Sequence, residues 1–340
     1  MTLSHLFALV FAAPALAVSV FPTLGFSSSE GFVLGGTAAR PFFSADSLSR
    51  GVVSLGAYYG TAGMVSLSAE AFSIGVGGGR HGSLKYERLM GRSWYGWGNN
   101  THPDTTAEMD YERQSLSMAL HRSLLPGLLV QTGVSVRHSS VYNREESFLW
   151  ERSPSREYGS SWTAGPEIGL RYRAGRFSAG VNGVFQAGDA SYAGVTGTLH
   201  ASFPLPGGMD GGVSMTGRRH LGTDGTPLPY LPALGQSQGF RGYSDFRFTG
   251  PVSLLTSAEI RKLFLTIAVP LSDMPWRIGA AVFADAGQVA ESVDELAMRR
   301  FHFDAGAGLR ILTHDNLMLK VDGAWGDEGL AISAGIDHDF

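Results

Sequence analysis

Hydrophobic and polar residues alternate with a period of two along most of the chain, and short runs of turn residues interrupt the alternation. In the segment 301–311, Phe303 and Ala305 fall on one face, whereas His302 and Asp304 fall on the other. This periodicity is typical of β-strands whose two faces meet different surroundings. Because no helical stripe competes with it, we predict an all-β chain.

The alternating segments predict about sixteen strands. They lie near 19–27, 31–40, 50–59, 63–74, 82–91, 105–122, 127–140, 162–174, 176–187, 190–204, 209–220, 252–265, 275–287, 300–313, 316–326 and 329–340. The long connections 92–104, 141–161, 221–251 and 288–299 all fall at one end of such an array. An even number of antiparallel strands, with long loops at one end and short turns at the other, predicts a transmembrane β-barrel.

Composition supports a barrel over two other classes. Only 16% of the 340 residues are charged, whereas soluble domains carry about 25%. A soluble β-sandwich would give the same alternation, but here the aliphatic faces of the late strands lack charge. A helical membrane protein is disfavoured, since no run of about 18 apolar residues follows the N-terminus. The net charge of −4, without a basic tract, argues against a nucleic-acid partner.

The N-terminus predicts export. Residues 1–17 combine the apolar stretch 6–13 with Ala15-Leu16-Ala17, a small-x-small cleavage site, and therefore predict a signal peptide. The alternative is an apolar first strand. On the export reading, a single barrel domain occupies 18–340.

One arginine stands out in the longest predicted loop, 221–251. The guanidinium of Arg241 has five donors in a rigid fork, so its natural buried partner is a carboxylate. Asp285 lies on the polar face of its predicted strand, and Glu259 and Asp304 face the same way on the neighbouring strands. We predict that the loop folds into the lumen and that Arg241 pairs with these acids. The alternative is a solvated Arg241 on a surface loop.

Two motifs and the C-terminus resemble one family. Phe240-Arg241-Gly242-Tyr243 resembles the VRG(F/Y) motif in the sixth extracellular loop of the Omp85 superfamily, the bacterial surface antigen (D15) or BamA-like barrels. Phe283-Ala284-Asp285-Ala286-Gly287 matches the FxDxG motif of a later strand in that family. The terminal segment from Gly335 to Phe340 is similar to the signal that directs barrels to assembly, although His338 replaces an aromatic residue.

The resemblance implies a protein of the bacterial outer membrane, surrounded by outer-membrane lipid and lipopolysaccharide, that the barrel assembly machinery inserts. It implies a role in outer-membrane biogenesis or in translocation of protein or lipid. The 340 residues contain no POTRA domains, so we expect a periplasmic partner to supply substrate binding. The alternative function is a passive pore or a structural outer-membrane protein without insertase activity.

No other chemistry is predicted. The chain lacks G-x-S-x-G and any diagnostic Ser/His/Asp spacing, so we do not expect an enzyme. Histidines show no metal-ligand spacing, and neither a metal nor a cofactor is expected. The seam between the first and last strands is predicted to be weak, because Pro22 lacks a backbone donor and Gly335 adds no side-chain packing. The alternative is a stable closed barrel with a proline near its rim.

Overall fold

The computed structural model describes residues 9–10, 18–27, 31–43, 50–75, 78–142, 149, 159–222, 226–268, 275–312 and 317–338. Sixteen strands form the barrel wall. In chain order they are β1 Ser19–Ser27, β2 Gly31–Phe43, β3 Arg50–Gly60, β4 Met64–Gly75, β5 Gly78–Trp94, β6 Ala107–Leu125, β7 Leu128–Tyr142, β8 Ser160–Ala174, β9 Phe177–Gly188, β10 Tyr192–Leu205, β11 Met209–Leu221, β12 Val252–Ile267, β13 Trp276–Ala290, β14 His302–Leu312, β15 Leu317–Gly326 and β16 Gly329–His338.

Each strand pairs antiparallel with the next, and β16 returns to β1. The sheet is therefore a closed barrel, and the predicted fold class and strand number are confirmed. The described residues contain no helix of the length and apolar character that crossing a membrane requires. Antiparallel order places the connections 95–106, 143–159, 222–251 and 291–301 at one end of the barrel. We call this the long-loop end and the opposite one the short-turn end.

The wall is apolar outside and polar inside. On β13, Val282 is 57% exposed whereas Asp285 is 1% exposed, and on β14 Phe303 is 58% exposed whereas Asp304 is 3% exposed. The large apolar side chains of the outer face are exposed because no other part of the protein covers that face. The opposite face carries the charges. This division is expected for a barrel whose exterior contacts lipid.

Three adjacent strands, β5 to β7, are among those that exceed the length a membrane requires. β5, β6 and β7 contain 17, 19 and 15 residues, whereas about 9–11 residues cross a bilayer. Near the long-loop end they contribute Trp94, Met109 and Val141 to a buried apolar cluster, which also holds Leu228 and Phe246 of the connection 222–251. The extended strands therefore form a wall against which the longest connection packs.

The seam that closes the barrel is short. Among the residues that the structure describes, β16 and β1 pair through two residue pairs, Ser333 with Ser27 and Ala334 with Phe26, whereas β15 and β16 pair through ten. Leu9–Val10 forms a two-residue strand against Ser19 and Val20. The rest of the predicted signal peptide lies outside the described residues, as does Phe340, so both stay predictions.

We expect backbone amides of 18–27 to exchange with deuterium at least about tenfold faster than those of β12 and β13, because local opening is easiest where few hydrogen bonds must break. Hydrogen exchange of the refolded barrel, read by mass spectrometry, measures this difference. Peptides from β15 serve as the control, since β15 neighbours the seam strand but is paired along its length. Equal protection of β1 and β12 would contradict a weak seam.

Candidate functional site

The connection 222–251 is described from residue 226 and has its own local structure. Ala233–Leu234 pairs with Phe248–Thr249 as a short ribbon. Between the two halves of the ribbon, Gly239 takes a positive φ of 95°, a conformation that residues with a side chain rarely adopt. The turn at Gly239 brings the next four residues, 240–243, against the polar face of β12 to β14.

Arg241 makes a fork-to-fork contact with the wall. Its Nε and Nη2 donate to Oδ2 and Oδ1 of Asp285, each over 2.8 Å. Nη1 donates to Glu259 Oε2 and Nη2 to Ser257 Oγ, both over 3.0 Å. The guanidinium carbon lies 3.4 Å from the centre of the Phe283 ring. Bidentate charge-assisted bonds of this kind are among the strongest polar contacts in proteins.

A second arginine extends the contact. Arg310 of β14 donates from Nε and Nη2 to the two oxygens of Glu259, over 3.0 and 2.7 Å. Its Nη1 donates to Asp322 Oδ1 over 2.6 Å, and Arg241 Nη1 lies 3.7 Å from Asp322 Oδ2. We call Arg241, Arg310, Glu259, Asp285 and Asp322 the Arg241 network. Two cations therefore share three carboxylates, and Glu259 bridges the arginines.

Asp304 has a different role from the one predicted. Instead of a hydrogen bond from the Arg241 side chain, Asp304 Oδ2 accepts the backbone N–H of Gly242 over 2.7 Å. A Cβ atom at residue 242 would lie 2.6 Å from Cβ of Asp304, so the close approach requires glycine. Tyr243 donates its hydroxyl to the carbonyl of Phe303 over 3.1 Å. Burial raises the pKa of Tyr243, which keeps this donor protonated.

The loop residues Phe240 and Tyr243 belong to a buried cluster of side chains from the loop and the wall. Its members are Leu234, Phe240, Tyr243, Phe248, Leu255 and Val289. Phe240 is fully buried, and a Cβ atom at Gly287 would lie 3.1 Å from its ring. The three motif residues of β13 therefore have separate physical roles. Phe283 stacks on the guanidinium, Asp285 binds it, and Gly287 leaves space for the Phe240 ring.

Two further contacts hold the connection. On the opposite wall, the Tyr230 hydroxyl donates to the carbonyl of His138 over 3.1 Å, and its ring lies 5.5 Å from the guanidinium of Arg137. Near the long-loop end, the buried Arg247 donates to Glu328 and to the carbonyl of Thr101. The segment 226–251 is therefore tied to β7, to the connection 95–106 and to the network wall.

Sequence reasoning named Arg241, Asp285 and Glu259 but missed Arg310 and Asp322 as their partners. Both missed residues occupy polar positions in alternating strands, and that alternation was the available signal. Glu259 is brought to Arg310 by the register of β12, β13 and β14. The described residues contain no group of three side chains that could hold a metal ion.

No protein-family model matches the chain, and no curated protein matches its sequence. Solved structures do. BamA from Haemophilus ducreyi, lacking POTRA domains 1–3, is similar with a TM-score of 0.63 and 14% identity, over 92% of this chain and 69% of that chain. CdiB from Escherichia coli is similar with a TM-score of 0.61 and 12% identity, over 94% of this chain and 63% of that chain. CdiB from Acinetobacter baumannii is similar with a TM-score of 0.56 and 13% identity, over 96% of this chain and 59% of that chain.

The chain thus spans less than two thirds of either CdiB chain. At these identities the similarity concerns the fold alone. The chain therefore has a fold similar to that of BamA and CdiB.

Proposed function

We propose that the chain is an Omp85-type barrel of the bacterial outer membrane, in which the Arg241 network holds the connection 222–251 inside the lumen. The bidentate contact between Arg241 and Asp285 carries the proposal. A loop arginine that meets three wall carboxylates on the polar face is well suited to hold a plug, because buried charges are stable only when they are paired.

A lumen filled by a loop favours an active role in the membrane over passive diffusion of solutes through a pore. We propose a role in outer-membrane biogenesis or in translocation of protein or lipid, with substrates delivered by a periplasmic partner. Contacts on two walls, by Tyr230 and by Arg241, support a segment that crosses the lumen. The short pairing between β16 and β1 supports a barrel wall that can open between these two strands.

Conductance in a planar bilayer tests the proposal. We expect the refolded wild-type barrel to pass little or flickering current, and a variant lacking 236–247 to pass a large steady current. The deletion removes the turn that carries Arg241 but spares the Tyr230 contact. A control deletion of 293–297, in another connection at the long-loop end, should leave the current low. A large steady current from the wild type would favour the passive pore instead.

A further inference from the structure

The outer wall carries a groove near the short-turn end. A cavity of about 660 Å³ lies along β2 to β7, and its lining includes Phe42, Ala71, Gly82, Met118, Leu120 and Val134. Met118 and Leu120 are 60% and 59% exposed, whereas Ala119 between them is 8% exposed. Met118 and Leu120 therefore face the outward, lipid-facing side of the wall, as do Gly82 and Val134, which lie in the same row as Met118. The Arg241 network lies on the other side.

The shape of the groove arises from a change in side-chain size. In one row across the wall, β6 and β7 present Met118 and Val134, whereas β4 and β5 present the small residues Ala71 and Gly82. A Cβ atom at Gly82 would meet only one atom within 4 Å, the carbonyl oxygen of Ser117 at 3.9 Å. Glycine at this position therefore leaves open space between apolar walls. A hydrocarbon chain fits such a space, because it gains contacts along its length without needing a hydrogen bond.

Two cations lie at one end of the groove. Arg80 lines it, and Arg122 follows Leu120 on the same outward face of β6. Arg80 pairs directly with Leu120 in the β5–β6 register, so Arg122 lies two residues along β6 from the partner of Arg80. Both side chains are exposed, and neither forms an ion pair with another described residue. The short-turn ends of the strands are where a lipid headgroup meets the barrel.

We propose that this groove binds one phospholipid molecule, with an acyl chain along Gly82 and the phosphate at Arg80 and Arg122. The apolar groove and the paired cations each match one part of such a molecule. Guanidinium groups bind phosphate oxygens through charge-assisted hydrogen bonds. Neither free phosphate nor an uncharged lipid would satisfy both parts of the site.

Native mass spectrometry of the full chain, released from detergent micelles with added phosphatidylglycerol, tests the proposal. We expect the wild type to retain one lipid. Gly82→Leu should lower the retained fraction at least about tenfold, because the added side chain fills the space that the acyl chain would occupy. Arg80→Gln/Arg122→Gln should lower it about fivefold, as expected for partly exposed charge contacts. Diacylglycerol and inorganic phosphate should not be retained.

Two matched controls separate this site from general lipid contact. A Cβ atom at Gly197 meets nothing within 4 Å, and Gly197 lies on the outward face of β10, so Gly197→Leu makes a similar change in open space away from the groove. Lys262→Gln removes an exposed outward cation of β12. Both should retain lipid like the wild type. Equal retention by Gly82→Leu and Gly197→Leu, each shown to be folded by heat-dependent gel mobility, would overturn the proposal.

Discussion

Replacing Arg241 by alanine is expected to release the connection 222–251 from the wall and to lower the stability of the barrel by about 3 kcal/mol, because breaking a buried ion pair leaves an uncompensated charge. Asp285 would lose both of its guanidinium donors. Glu259 would keep only Arg310. The measurements are proteolysis of the loop by proteinase K and the temperature at which the refolded barrel loses its compact gel mobility.

Two variants make the Arg241 result specific. Arg299→Ala removes an exposed arginine from the connection 291–301 and should change neither measurement. Arg241→Lys keeps the charge but cannot form the bidentate contact with Asp285, so its loop should be cleaved at an intermediate rate. Wild-type protease protection and heat resistance in Arg241→Ala would show that the network does not hold the loop.

The fold was largely predictable because a barrel imposes one simple rule on every strand. Lipid outside and polar surroundings inside force a period of two, and this period located all sixteen strands. Strand ends were less predictable. β5 was expected at 82–91 but spans Gly78–Trp94, since a strand that rises beyond the membrane no longer needs an apolar outward face. Its lumen-facing Trp94 packs in a cluster that only the folded loop completes.

The site was predictable where one residue carries its own constraint. An arginine in a loop that folds into the lumen requires a carboxylate partner. Asp285 was the carboxylate that lies both on the polar face of its strand and in the FxDxG motif. The other partners depend on register between strands, which a single sequence does not display. Arg310 and Asp322 lie within hydrogen-bonding distance because β14 and β15 place them near each other on the polar face. Asp304 was expected to bind the Arg241 side chain, but it accepts a hydrogen bond from the backbone N–H of Gly242 instead.

Replacing Arg310 by alanine is expected to destabilise the wall by about 3–5 kcal/mol while leaving the loop docked, because a fully buried charge partner is lost. Arg310 and Asp322 have side chains only 1% exposed. Without Arg310, Asp322 would keep its ion pair with Arg241 Nη1 at 3.7 Å, which is beyond hydrogen-bonding distance. Urea unfolding in detergent measures the loss, and proteinase K reports on the loop.

The two arginines are expected to have separable roles: Arg241 holds the loop, and Arg310 stabilises the wall. Arg241 keeps its bidentate contact with Asp285 in the Arg310→Ala variant, so the loop should remain protected although the barrel unfolds at lower urea. Adding Asp322→Ala to Arg310→Ala should recover part of the lost stability, since it removes the carboxylate left without a guanidinium within hydrogen-bonding distance. A double variant no more stable than Arg310→Ala, or a loop cleaved as fast as in Arg241→Ala, would mean that wall and loop are not held by separable contacts.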